Sequence, residues 1–145
     1  MIMVVDDDEP IRKSLRLLLT AEGYQVETAN DGSDALKKLE TVKPKIILLD
    51  MMMAPMDGMT FIKSLMQTEQ QKSYTIIVMT AMTGIVDELK EMQQQGIIRD
   101  FVIKPFFFSE LLLQEIENIV KDQNTVPHKP DESLLFDTDT GEAIF

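Results

Sequence analysis

A chain of 145 residues suffices for one domain with a full core and is too short for two ordinary ones. Its 44% hydrophobic and 27% charged residues are typical of a globular protein. The formal net charge of -11 argues against a surface for DNA, RNA or anionic lipid; it suits solubility, cation binding or a basic partner. The sequence has no cysteine for a disulfide or thiolate metal site. It also has no run of about 18 apolar residues to span a membrane. The start, "MIMVVDDDEP", lacks the basic region and long apolar run of a signal peptide. With the missing cysteines, this makes a reducing, cytoplasmic setting the expectation.

The elements follow in chain order. "MIMVV" (1–5) is a short continuous apolar run and predicts a buried strand. Asp8 and Glu9 suit the cap and positive end of a first helix, and Pro10 suits its first turn. The helix "IRKSLRLLLTAEG" places Ile11, Leu15, Leu18 and Leu19 at helical spacing and stops at Gly23. "YQVETA" (24–29) alternates and predicts an edge strand. Ser33 is the expected cap of a second helix, "DALKKLETV", ending before Pro44. "KIILLD" is a third strand. Asp57-Gly58 reads as a turn and helix start. The helix from Gly58 to Gln70 turns Phe61, Ile62, Leu65 and Met66 inward.

"TIIVMT" (75–80) is a fourth strand. "GIVDELKEMQQQG" (84–96) is a helix with Ile85, Leu89 and Met92 on one face. "DFVIKP" (100–105) is a fifth strand, and "SELLLQEIENIVKD" (109–122) a fifth helix capped by Ser109. After Asp122 the composition turns polar and proline-bearing. Residues 123–145 read as a linker followed by a hairpin around "DTDTG", distinct from the domain at 1–122. The lone histidine, His128, falls in that linker, and one histidine makes a poor metal site.

Five β/α repeats in about 120 residues predict an α/β fold with a doubly wound parallel sheet and helices on both faces. In such folds function gathers beyond the carboxyl ends of the strands. There the sequence places Asp6, Asp7 and Asp8, then Asp50, Thr80 and Lys104. Crowded carboxylates resist joint ionisation, and a hard divalent cation such as Mg²⁺ resolves the conflict. A carboxylate beside such an ion can also attack phosphorus and form an aspartyl phosphate. The new phosphoryl oxygens then need a cation and a hydroxyl donor, the chemistry of Lys104 and Thr80. The apolar run Ile46 to Leu49 thus reads as a rigid central strand that holds Asp50 at the rim.

"VVDDDEPIR", "IILLDMMMAPMDG", "VMTA" and "FVIKPF" occur in order. Together they make the chain, from residue 1 to about 122, resemble a response-regulator receiver domain, the phosphoacceptor of two-component signalling. The resemblance implies a flavodoxin-like strand order of 2-1-3-4-5. It implies Asp50 as the phosphorylated residue, and Asp6, Asp7, Asp50 and the Met52 backbone carbonyl as Mg²⁺ ligands. Thr80 and Lys104 would bind the phosphoryl group, and Phe101 would be the switch aromatic. Met52 and Met82 hold the positions that set the rate of dephosphorylation, and neither can orient a water by a strong hydrogen bond. The implied donor is a histidine kinase or histidine phosphotransfer protein. The implied output is a changed surface of the fourth helix, fifth strand and fifth helix, which also allows a homodimer. No nucleic acid or membrane is implied as a direct partner, and the chain would be no enzyme beyond assisting its own modification.

Two departures stand out. Ala54 occupies the place of the family's usual proline, with Pro55 following, and "QGIIRDF" is one residue longer than usual. The Lys104-Pro105 bond is expected to be cis by the same resemblance. The methionines Met51 to Met53, Met56 and Met59 read as adaptable filler rather than a redox or copper site. A phosphatase of the haloacid-dehalogenase type would instead use Asp6 as nucleophile and Asp8 as acid/base. Pro10 stands where that family has Thr or Val, and no acid pair follows Lys104. A third reading is a receiver that docks without being phosphorylated.

Overall fold

The computed structural model describes residues 1–54, 56–68, 73–104 and 110–122. The chain divides into two compact units, Met1–Phe108 and Ser109–Phe145. In the first, β1 (Ile2–Val5), β2 (Val26–Ala29), β3 (Ile46–Asp50), β4 (Thr75–Thr80) and β5 (Asp100–Ile103) alternate with helices. These are α1 (Glu9–Ala21), α2 (Gly32–Lys38), α3 (Gly58–Met66) and α4 (Val86–Gln94), the last preceded by a 3₁₀ turn at Thr83–Ile85. The strands form one parallel sheet in the order β2-β1-β3-β4-β5, as the resemblance implies, with β2 at an edge.

Every residue of β1 and β3 is buried. Side chains alternate faces along a strand, so unbroken apolar runs survive only where both faces are covered. On one face Met3, Val5, Ile47, Leu49, Ile76 and Val78 pack with Ala35 of α2, Phe61, Ile62 and Leu65 of α3, and Leu89 of α4. The alternate residues Ile2, Val4, Ile46, Leu48, Ile77 and Met79 are equally buried. On their side α1 lies along β1 and β2 and buries Leu15 and Leu19. In the second unit α5 (Glu110–Asp122) buries Leu112, Ile116 and Ile119 at helical spacing.

Local chemistry sets the helix starts. Asp8 caps α1, its side chain accepting from the Ile11 N–H at 3.4 Å. The expected Ser33 cap is replaced by Asp31, whose carboxylate accepts from the Asp34 N–H at 2.9 Å. Both residue types cap well, and Asp31 in extended backbone leaves Ser33 already inside the helix. α2 also ends at Lys38, earlier than its apolar pattern suggests; Thr41 and Val42 continue it only as turns. α3 stops at Met66, which is 44% exposed rather than inward. Gly23 and Gly96 adopt φ of +92° and +77°, the left-handed region that ends a helix cheaply only with glycine. Ser109, Pro105, Pro55, His128 and all of 123–145 lie outside the described residues, as do the expectations attached to them.

Candidate functional site

The register builds the site. Val5 pairs with Leu49 as the last rung between β1 and β3, so Asp6 and Asp50 reach the rim side by side. Asp6 is fully buried, Asp50 is 3% exposed, and Asp7 faces solvent. Asp6, Asp7 and Asp50 each present a carboxylate oxygen, and these atoms lie within 4.8 Å of one another. Lys104, just past β5, crosses the rim to meet them. Its Nζ donates to Asp6 Oδ2 at 3.0 Å and pairs with Asp50 Oδ2 at 3.4 Å. Its backbone N–H donates to the Thr80 carbonyl at 2.8 Å, which fixes the stem of the lysine to β4.

The other oxygens of Asp6 and Asp50 are also engaged. The Asp8 N–H donates to Asp6 Oδ1 at 2.9 Å, and the Met52 N–H donates to Asp50 Oδ1 at 3.2 Å. Thr80 is buried at its strand end, where its Oγ1 accepts from the Met82 N–H at 2.9 Å. Of the expected site residues, Lys104 contacts Asp6 and Asp50 directly, and Asp7 brings a carboxylate oxygen within 4.8 Å of theirs. Thr80 is tied to Lys104 through backbone and turns its hydroxyl to the loop that carries Met82. Phe101 on β5 sits opposite Val78 of β4, half-buried and packed against the core.

Two contributors escaped the sequence. Arg12 Nη1 donates to the Asp6 carbonyl at 2.7 Å, which pins the backbone where β1 ends. Its only sequence signal is its position in the first turns of the helix after the acidic run. Gly58 does more than begin α3. A Cβ there would lie 2.6 Å from the Asp50 carbonyl oxygen and 2.8 Å from Met51 Cα. The Gly58 N–H also donates to the Met51 carbonyl at 3.2 Å. Only glycine allows this approach of α3 to the end of β3. Asp57 caps α3 by accepting from the Thr60 N–H at 2.8 Å, and these backbone amides hold its carboxyl below the usual range.

Electrostatically the site is strained. Burial pushes the Asp50 carboxyl up to about 6, and the Asp6 charge adds to this. Lys104 and the Met52 N–H pull it back only in part. Burial alone would lower Lys104, but its hydrogen bond to Asp6 and the Asp50 charge outweigh that and hold it above the ordinary lysine value. One ammonium thus serves two buried carboxylates, leaving negative charge over.

Beside the carboxylates opens a cavity of about 420 Å³, lined by Asp7, Asp57, Ala54 and the methionines Met51, Met52, Met53 and Met82. A smaller groove of about 200 Å³ between α1 and the end of β2 contains none of the expected site residues. The carboxylate trio offers hard oxygen donors, an unrelieved negative charge and, through exposed Asp7, an open side. That donor set fits Mg²⁺.

Known proteins bear on this arrangement. Residues 2–117 match the model of the response regulator receiver domain. The chain is 40% identical over 105 residues to the alkaline phosphatase synthesis transcriptional regulatory protein PhoP of Bacillus subtilis, covering 72% of this chain and 42% of that protein. It is 36% identical over 111 residues to the response regulator MprA of Mycobacterium ulcerans, covering 77% and 46%. The chain therefore spans less than half the length of these relatives. Among solved structures, the response regulator TrrA of Thermotoga maritima in complex with Mg²⁺-BeF superposes with a TM-score of 0.68 at 28% identity, covering 81% of this chain and 96% of that one. The chemotaxis response regulator CheY4 of Vibrio cholerae does so with 0.69 at 31% identity and the same coverage.

Proposed function

The chain belongs to the response regulator receiver domain family, and from that premise we propose that Asp50 is its phosphoacceptor, fed by a phosphohistidine on a histidine kinase or phosphotransfer protein in the cytoplasm. The observation that carries this is the nearly buried Asp50 at the rim of β3, 3.4 Å from Lys104 and sharing its site with Asp6 and Asp7. With a pKa near 6, Asp50 is largely ionised at neutral pH and available as a nucleophile. One of its oxygens bonds to phosphorus, the donor's N–P bond breaks, and the released imidazole takes up a proton. Lys104 and the Thr80 hydroxyl then serve the phosphoryl oxygens.

Asp6, Asp7, Asp50 and the Met52 carbonyl would hold Mg²⁺. Bound there, the ion supplies positive charge that offsets the crowded carboxylates and the incoming phosphoryl group. Phosphorylation draws the Thr80 hydroxyl from the Met82 N–H toward the phosphoryl group, Phe101 repacks, and the partner preference of the surface that includes α4 and β5 changes, with homodimerisation as one output. Met52 and Met82 make the phosphoryl group long-lived, because neither thioether orients an attacking water. The chain assists its own modification and its reversal rather than turning over a small molecule.

The phosphatase reading has less support. Its nucleophile would be Asp6, which is fully buried with one oxygen held by Lys104 and the other by the Asp8 N–H. Mass spectrometry after acetyl phosphate and Mg²⁺ tests the choice. The expected result is one phosphoryl group on the wild type, none on Asp50→Ala, and the label mapped to Asp50. A label on Asp6 selects the phosphatase, and no label in either protein selects a docking module.

A further inference from the structure

Eleven methionines occur in this chain, and they are not equivalent. Met3, Met51, Met53 and Met79 are buried; Met56, Met59, Met82 and Met92 are half-buried. Of the three that are exposed, Met52 is the most open at 55%, against 40% for Met1 and 44% for Met66. Met52 also stands two residues from Asp50, with its backbone N–H on the Asp50 carboxylate, and lines the cavity that contains Asp7 and Met82. The most exposed methionine in the protein therefore lines the cavity beside its carboxylate site. At 55% exposure it is not a core residue, so a role as core filler does not explain it.

We propose that Met52 is an oxidation site through which hydroperoxides shorten the life of the phosphorylated state; the second half of this rests on Asp50 being the phosphoacceptor. The thioether sulfur attacks the outer oxygen of the peroxide, the O–O bond breaks, and the sulfur gains that oxygen. Hydrogen peroxide leaves as water, so sulfur is oxidised by two electrons and peroxide is reduced by two. The thioether is a weak acceptor, whereas the sulfoxide carries a strongly polar oxygen. That oxygen accepts a hydrogen bond from water in the cavity beside Asp50, where the apolar side chain offered none. One such bond to an attacking water is expected to speed phosphate loss about fivefold. The change is reversible, because methionine sulfoxide reductases restore the thioether.

The experiment has two arms on the full chain. First, brief exposure to limiting hydrogen peroxide is followed by peptide mapping. Met52 is expected to oxidise ahead of Met82 and before any of the four buried methionines; Met52 lagging behind buried positions overturns the proposal. Second, protein phosphorylated with acetyl phosphate, with and without prior oxidation, is followed by loss of the phosphoryl group. The oxidised wild type is expected to lose phosphate faster and to recover after reductase treatment. Met52→Leu, compared with its own untreated sample, is expected to be insensitive to peroxide although Met1 and Met66 still oxidise. Equal acceleration in Met52→Leu, or none in the wild type, overturns the proposal. A chain that never labels at Asp50 defeats the phosphoacceptor reading instead, and with it the effect on lifetime, while the mapping arm still reports on Met52.

Discussion

Replacing Asp50 by Asn should make the metal-free protein more stable at neutral pH, although it removes the residue on which function depends. The Asp50 carboxyl is pushed from 3.8 to about 6, first by burial and then by the Asp6 charge. At about 1.36 kcal/mol per pH unit, losing its proton near 6 instead of 3.8 means that ionising Asp50 costs the native state about 3 kcal/mol. The attraction of Lys104 at 3.4 Å is already contained in the net shift. Asn keeps the shape and the acceptor for the Met52 N–H but never ionises. Because the native pKa lies above the unfolded one, the native state retains a proton between about pH 4 and pH 6 that the unfolded chain has lost. Stability from this group therefore falls as pH rises through that window, opposite to the usual carboxylate. Urea unfolding in EDTA at pH 7.5 is expected to show Asp50→Asn with a midpoint about 1–3 M above wild type. The difference should vanish on acidification toward pH 4, and millimolar Mg²⁺ should narrow it by binding only the wild-type site well. A variant that is no more stable at pH 7.5, or a gap that does not shrink with acid, would show that the carboxylates are not in electrostatic conflict.

Three further substitutions probe the same construction. Lys104→Met leaves the buried Asp6 carboxylate without its ion pair at 3.0 Å and should cost about 3 kcal/mol in urea unfolding, besides preventing phosphotransfer from having a stable product. Gly58→Ala drives a methyl group into the Asp50 carbonyl and Met51 Cα, so the loop must shift; we expect a loss of about 1–3 kcal/mol by thermal unfolding and reduced acetyl phosphate labelling. Met82→Glu places a strong acceptor on the wall of the cavity that Met52 also lines and should speed phosphate loss by about tenfold, read from the decay of phosphoprotein after donor removal.

Much of this protein was legible because its signals are local or periodic. Strands β1, β3 and β4 lie where continuous apolar runs put them, since burial on both faces leaves no polar position in the run. The acids and Thr80 terminate those runs, Lys104 follows β5, and a parallel sheet directs all such ends to one rim. Helix boundaries were less secure. Asp31 took the cap from Ser33 because neighbouring residues of nearly equal capping strength are separated only by backbone conformation. Helical spacing points Met66 inward, yet α3 ends at that residue and leaves it exposed.

Distances and allegiances were beyond the sequence. Nothing in the order of residues says that Lys104 would spend its charge on Asp6 as well as Asp50, or that Arg12 would bind the Asp6 carbonyl. Nor does it say that Gly58 is required by a backbone 2.6 Å away rather than by its own turn. These depend on contacts between residues far apart in the chain, such as the 98 positions separating Asp6 from Lys104. Composition and periodicity determined which groups reach the rim, because each strand's pattern is its own. Only the folded sheet decided how far apart they stand and that Asp50 holds its proton to a higher pH than a free carboxyl does, because burial and charge act through space.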